Sequence, residues 1–158
     1  MEIKTILVAI DFSENAEAAF DVAYDLARQL KAKLYALHVQ DENTLRTAIR
    51  EGLLDDCATD EELGAAVKKL NEDRLTNLLT KADPAQVEIE RILRRGDPRS
   101  IIVDCAVKAN ADIVVVGRRG VSLIDRVVGH VTDSVIRKSP CPVVVVRREH
   151  KKIVTSEP

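Results

Sequence analysis

A glycine-rich stretch in the last third of the sequence is the part best suited to hold an anion. Gly117-Arg118-Arg119-Gly120-Val121-Ser122-Leu123-Ile124-Asp125-Arg126-Val127-Val128-Gly129-His130 carries three of the six glycines in the chain. Glycine lets backbone N–H groups approach an anion with no Cβ in the way. A helix opening near Gly129 would add its positive end. The same glycines also suit a turn and a helix start, and the local chemistry does not choose between the two uses. Asp11 is a second candidate. It closes an apolar run just ahead of Ser13. There it could accept a hydrogen bond from a ligand, or complement the N-terminus of a helix that Ser13 caps.

Several other chemistries are excluded. The turn Ala9-Ile10-Asp11-Phe12-Ser13-Glu14-Asn15-Ala16 has no glycine, so it cannot be a dinucleotide fingerprint. No P-loop is present, and no Ser-Gly-Gly loop follows the first strand. A receiver domain wants an acidic pair after strand one and an Asp after strand three; here Asp11 stands alone and Arg94-Arg95 follow the third. His38, His130 and His150 lie in no hydrolase or zinc-protease motif, and His38 reads as a structural histidine within a buried strand. Cys57, Cys105 and Cys141 are odd in number with no Cys-x-x-Cys. They support neither a disulfide framework nor a zinc knuckle, and a reducing cytoplasm fits them.

The candidate residues need elements to position them. Lys4–Ile10 is a continuous apolar run, as in a strand covered on both faces. Ser13 caps a helix whose stripe is Ala16, Ala19, Phe20, Ala23, Ala27 and Leu30. Leu34–Val39 is the second strand. Leu45, Ala48, Ile49 and Leu53 keep the spacing of a short amphipathic helix. Leu63, Val67, Leu70, Leu75, Leu78 and Ala82 fit a longer one that Asp83-Pro84 stops. Val87–Leu93 alternates like an edge strand. Asp97 and Pro98 start a helix with Ile102, Cys105, Ala106 and Ala109 on its buried stripe. Asp112–Val116 is a strand. Val131, Val135 and Ile136 mark the last helix, and Pro142–Val146 the last strand. Strands alternating with helices predict a parallel sheet with helices on both faces. Ligands in such sheets sit past the carboxyl ends of strands, where the strand order reverses.

Composition agrees with one globular domain. The chain has 158 residues, 46% hydrophobic and 32% charged, with a net charge of -2. Four aromatic rings, Phe12, Phe20, Tyr24 and Tyr35, are too few for a single-strand nucleic-acid platform. No apolar run approaches the length of a membrane span, and the N-terminus enters a strand without a signal-peptide pattern. Charge is unevenly placed, however. Residues 41–62 hold eight acids and two bases, while residues 91–152 hold fourteen bases and six acids. A basic C-terminal half suits a phosphorylated small ligand, and equally suits ordinary solvated helix faces. Residues 1–148 read as the domain, and 149–158 as a frayed polar tail.

Four segments together resemble the universal stress protein family. They are Ile6-Leu7-Val8-Ala9-Ile10-Asp11-Phe12-Ser13, Arg95-Gly96-Asp97-Pro98, Ala111-Asp112-Ile113-Val114-Val115-Val116-Gly117 and Ser139-Pro140-Cys141-Pro142-Val143-Val144-Val145-Val146. They stand in family order across residues 3–147. The resemblance implies an α/β fold of the adenine nucleotide alpha hydrolase-like kind: an open five-stranded parallel sheet, order 3-2-1-4-5, with helices on both faces. It implies a cytoplasmic stress-response protein that binds ATP or another adenine nucleotide, with or without Mg, in a sensing or regulatory role rather than as an enzyme. It also implies a homodimer through Val143–Val146, a further protein partner of unspecified identity, and no contact with membrane or nucleic acid. By position, Asp11 would face the adenine and ribose, and the backbone of Val39 the adenine edge. Gly117, Arg118, Gly120, Gly129 and His130 would surround the phosphates, and Val131 would complete the nucleotide-binding set. Nucleotide-binding members carry Gly-x2-Gly-x9-Gly followed by Ser or Thr. Here Gly120 and Gly129 enclose eight residues, and His130 stands in the hydroxyl position. His130 could still donate to a phosphate, more strongly when protonated. The alternative is a member without nucleotide, acting through protein contacts alone.

Overall fold

In this computed structural model, residues 1–41, 46, 49–52, 59–118 and 129–148 are described. Leu45, Ala48 and Leu53 of the expected short helix lie outside the described residues. So do Cys57, Gly120 with the rest of its loop to Val128, and the tail 149–158.

Five parallel strands form one sheet: β1 (Thr5–Ala9), β2 (Lys33–Gln40), β3 (Ile89–Arg95), β4 (Ile113–Gly117) and β5 (Val143–Val146). Their order is β3-β2-β1-β4-β5, as the resemblance implied. β1 therefore sits at the centre, with Leu7 opposite Tyr35 on one side and Val114 on the other. Ile6, Leu7 and Val8 are all fully buried, because helices cover both faces. One face packs against α1 (Glu14–Leu30) and α2 (Asp60–Leu79). The other packs against α3 (Pro98–Lys108) and α4 (His130–Lys138).

The helix starts follow from side chains that offer oxygen to free N–H groups. The Ser13 hydroxyl accepts from Ala16 N at 3.2 Å, with Glu14 and Glu17 in the first turn of α1. Asp97 caps α3 by accepting from Arg99 N at 3.0 Å, and Pro98 follows where its missing N–H costs nothing. Arg99 holds the Asp97 carboxyl below the usual carboxylate range. α2 begins earlier than its apolar stripe suggests. Thr59 and Glu62 form a reciprocal capping box at 3.3 and 3.1 Å. That helix ends at Leu79, leaving Ala82 outside it.

Two expectations from patterning shift. β3 runs to Arg95 and leaves Val87 before it, because pairing continues to the end of β2, where Gln40 lies opposite Arg95. Backbone pairing, not alternation, sets that boundary. Ile136 is 46% exposed while Val135 is fully buried; α4 turns only one narrow face to the sheet. Among the described residues no helix is long and apolar enough to cross a membrane.

Candidate functional site

The strand order reverses between β1 and β4, so the connections leaving these two strands diverge and open a crevice past their carboxyl ends. A cleft lies there. Its walls are aliphatic: Ala9 and Ile10 from β1 and its exit, Leu37 and Val39 from β2, Pro98 and Ile102 from α3, Val116 from β4 and Val131 from α4. Asp11, Ser13, Asp41 and Thr132 supply its polar groups. The cleft holds about 620 Å³ including its open mouth.

The loop Asp11-Phe12-Ser13 is held by local and distant contacts. Asp11 Oδ1 accepts from Ser13 N at 3.0 Å, a turn that fixes the carboxylate at the head of α1. Phe12 has φ of 61°, a left-handed conformation that costs a non-glycine residue about 1–3 kcal/mol. Its ring packs on His38 with centroids 4.5 Å apart, and the Arg74 guanidinium lies over it at 5.4 Å. Ile10 N donates to Leu37 O at 2.8 Å. His38 reaches Ile10 O at 2.7 Å through Nδ1. A carbonyl can only accept, so Nδ1 carries a proton. Burial pushes the His38 pKa down; the bond to Ile10 and the charges of Asp11 and Asp41 act against that, and Arg74 adds to it. The structural reading of His38 therefore holds in part: Nδ1 is satisfied, while Nε2 is buried without a partner.

At the other wall, Gly117 is a glycine for a steric reason that sequence spacing does not reveal. A Cβ there would sit 2.7 Å from the carbonyl carbon of Asn15 and 2.8 Å from Ala16 N. α1 crosses β4 at backbone distance. Thr132, buried in α4, donates from its hydroxyl to Gly117 O at 3.0 Å. The Asn15 side chain bonds the carbonyl of Arg118 and accepts from Arg148 N at 2.9 Å, and Arg118 N donates to Val146 O at 2.8 Å. The end of β4 is thus tied to both α1 and β5 just before the glycine loop begins.

α4 opens differently from the other helices. Gly129 is its N-cap and has no side chain to accept from the first-turn N–H groups. Val131 and Thr132 of that turn line the cleft. The first turn thus brings its backbone donors and the positive end of the helix to the cleft.

Of the residues singled out from sequence, the structure brings Asp11, Val39, Gly117 and Val131 together around the cleft. Gly129 stands next to it as the cap of α4. Arg118 follows β4, anchored through its backbone. His130 is exposed, and borders a separate groove with Asp97, Arg99, Asp133 and Arg137. Asp41, Thr132 and Asn15 were not anticipated. Asp41 directly follows β2 and could have been found from that position. The other two act through partners far away in the chain. Among the described residues no group of three His, Cys, Asp or Glu side chains gathers to hold a metal ion.

The sequence signature of the Universal stress protein family matches residues 2–147. The chain belongs to the universal stress protein family. A member from Staphylococcus saprophyticus is 34% identical over 149 residues, spanning 92% of this chain and 84% of the relative. Among solved structures, universal stress protein UspA from Lactobacillus plantarum aligns with a TM-score of 0.66 at 28% identity, covering 93% of this chain and 99% of that one. A universal stress protein solved in complex with cAMP aligns with a TM-score of 0.61 at 25% identity, covering 94% of this chain and 100% of that one. The family's nucleotide alpha hydrolase-like fold is the fold described above.

Proposed function

We propose that this universal stress protein is cytoplasmic and binds an adenine nucleotide, ATP or a close relative, as a sensor rather than a catalyst. The observation that carries this reading is the cleft at the switch point between β1 and β4, with aliphatic walls and a few polar groups. Such a lining suits a heteroaromatic base. Asp11 and Asp41 line the cleft and can accept from the hydroxyl or amino donors of a nucleoside. The first turn of α4, whose N-cap is a glycine, suits the phosphates. A family structure that contains cAMP adds support from outside the chain. Magnesium, when it travels with the phosphates, would neutralise part of their charge; Asp11 and Asp41 are the nearby carboxylates among the described residues.

The glycine loop sets the selectivity of this reading. One residue fewer between Gly120 and Gly129 shortens the reach of the segment by about 3.3–3.6 Å. That is more than a hydrogen bond tolerates, so the nucleoside supplies most of the affinity and ATP is preferred over ADP only weakly.

Two measurements test the proposal. Mass spectrometry of small molecules released from the purified, denatured protein should find an adenine nucleotide. Calorimetry with ATP, ADP and AMP should give affinities close to one another. Asp11→Asn keeps an acceptor for Ser13 N while removing the charge, so it should weaken all three by about tenfold with little change in melting temperature. If no adenine nucleotide co-purifies and none binds at millimolar concentration, the chain is instead a family member that works through protein contacts.

A further inference from the structure

One cleft carboxylate, Asp11, is held from the far side of the sheet. β2 alternates: Leu37 and Val39 line the cleft, while Leu34 and Ala36 pack on the side of α1 and α2. His38 is in phase with Leu34 and Ala36, so its ring lies on the face opposite the cleft. From there it touches the residues on both sides of Asp11. Its Nδ1 donates to Ile10 O at 2.7 Å, and its ring lies 4.5 Å from that of Phe12, centroid to centroid.

Each contact bears on Asp11 through the backbone. The Ile10 carbonyl belongs to the peptide unit that contains the nitrogen of Asp11, and that unit is planar. Fixing the oxygen therefore fixes the plane from which Asp11 departs. β1 ends at Ala9, and Ile10 O takes its hydrogen bond from the imidazole. On the other side of Asp11, Phe12 has φ of 61°. A residue with a Cβ keeps such a conformation only where its surroundings hold it. Here the ring is held by His38 and by the Arg74 guanidinium of α2.

The choice of histidine fits this task better than it fits core packing. A leucine at this buried position would pack as Leu34 does, with no polar atom to desolvate. His38 instead buries Nε2 without a partner among the described residues, and that is a cost. What it adds is a donor for Ile10 O and a flat face for Phe12.

We propose that His38 is a positioning residue of the cleft: through Ile10 O and Phe12 it holds Asp11 where the carboxylate can accept from a nucleoside. The proposal rests on nucleotide binding in the cleft, although His38 itself is not part of the lining.

Adenosine is the probe, because it carries no phosphate and tests the nucleoside contacts alone. Calorimetry on the full chain compares the parent with His38→Leu and His38→Asn at neutral pH. His38→Leu fills the space but leaves Ile10 O without its donor, and should weaken adenosine by at least about tenfold. His38→Asn returns an N–H to Ile10 O and should bind within about threefold of the parent. A second readout needs no ligand. Ser13 N donates to Asp11 Oδ1, so solvent exchange of that amide, followed by NMR, reports whether the carboxylate is in place. It should be at least about tenfold faster in His38→Leu and close to the parent in His38→Asn, with the amides of Leu7 and Val8 protected in all three. The proposal is overturned if His38→Leu binds adenosine as tightly as the parent, if His38→Asn loses as much as His38→Leu, or if Ser13 exchange is the same in all three. If the parent binds no adenosine at millimolar concentration, nucleotide binding is not the role of the cleft, and Ser13 exchange alone decides whether His38 holds Asp11.

Discussion

Gly117 shows how a residue suited to ligand chemistry can be fixed by packing. With the backbone of Asn15 and Ala16 within 2.8 Å of where its Cβ would stand, Gly117→Ala must push α1 away from β4. Overpacking of this kind costs about 1–3 kcal/mol. Urea denaturation should show that loss in the absence of any ligand; unchanged stability would mean that α1 yields easily. His38 gives a second test. Its pKa is lowered in the fold, so below about 6.5 the unfolded chain takes up a proton that the folded chain refuses. Stability is therefore fully present above that pH and falls as pH drops, by up to about 1.4 kcal/mol per unit until the folded ring itself titrates. His38→Asn keeps a donor for Ile10 O but cannot titrate. Its stability should fall less steeply than the parent's between neutral pH and pH 5, and parallel profiles would assign the acid sensitivity to other groups.

At the scale of elements, caps and alternation were legible and long-range ties were not. Ser13, Asp97 and Pro98 announce helix starts because their effect lies within three residues. The stripe of α1 was read correctly through Ala27 because alanines at helical spacing leave few alternatives. Leu30, placed at its end, is 43% exposed, since the helix terminates there. By contrast, the left-handed Phe12 depends on His38 and Arg74, and Thr132 depends on Gly117. No local pattern encodes such partners. Asn71, buried in α2 between Val67 and Leu75 on its stripe, was missed because a stripe is sought among apolar residues, and Leu70 took its place in the reading. The cap of α4 carries the prediction at this scale. Gly129 has φ of -60°, a value open to any residue, so Gly129→Asp should gain a few tenths of a kcal/mol from capping. The same carboxylate would occupy the donors that the proposed function assigns to phosphate. ATP affinity should then fall by about tenfold while AMP falls less. Equal losses for both would separate α4 from the terminal phosphates.

Across the whole molecule, the exposed edge of β5 calls for a partner. Val145 is 37% exposed on a four-residue strand of valines; among the described residues no strand pairs with its outer side, and an open apolar edge invites pairing. A two-fold dimer through Val143–Val146 would cover it. We propose that the chain forms this dimer: sedimentation at tens of micromolar should find dimer for the parent and monomer for Val145→Lys; a monomeric parent would overturn the proposal, and a variant that still dimerises would move the interface elsewhere. The position of β1 has a consequence of another kind. Ile6 pairs with Ile113, so the central strand cannot gain its second neighbour until more than a hundred further residues exist. At about 5–20 residues per second of synthesis, β1 waits roughly 5–20 s with one side bare. Until β4 arrives, the nascent chain offers its most apolar strand to any passing edge, which makes this interval the one in which a ribosome-bound chaperone would matter most.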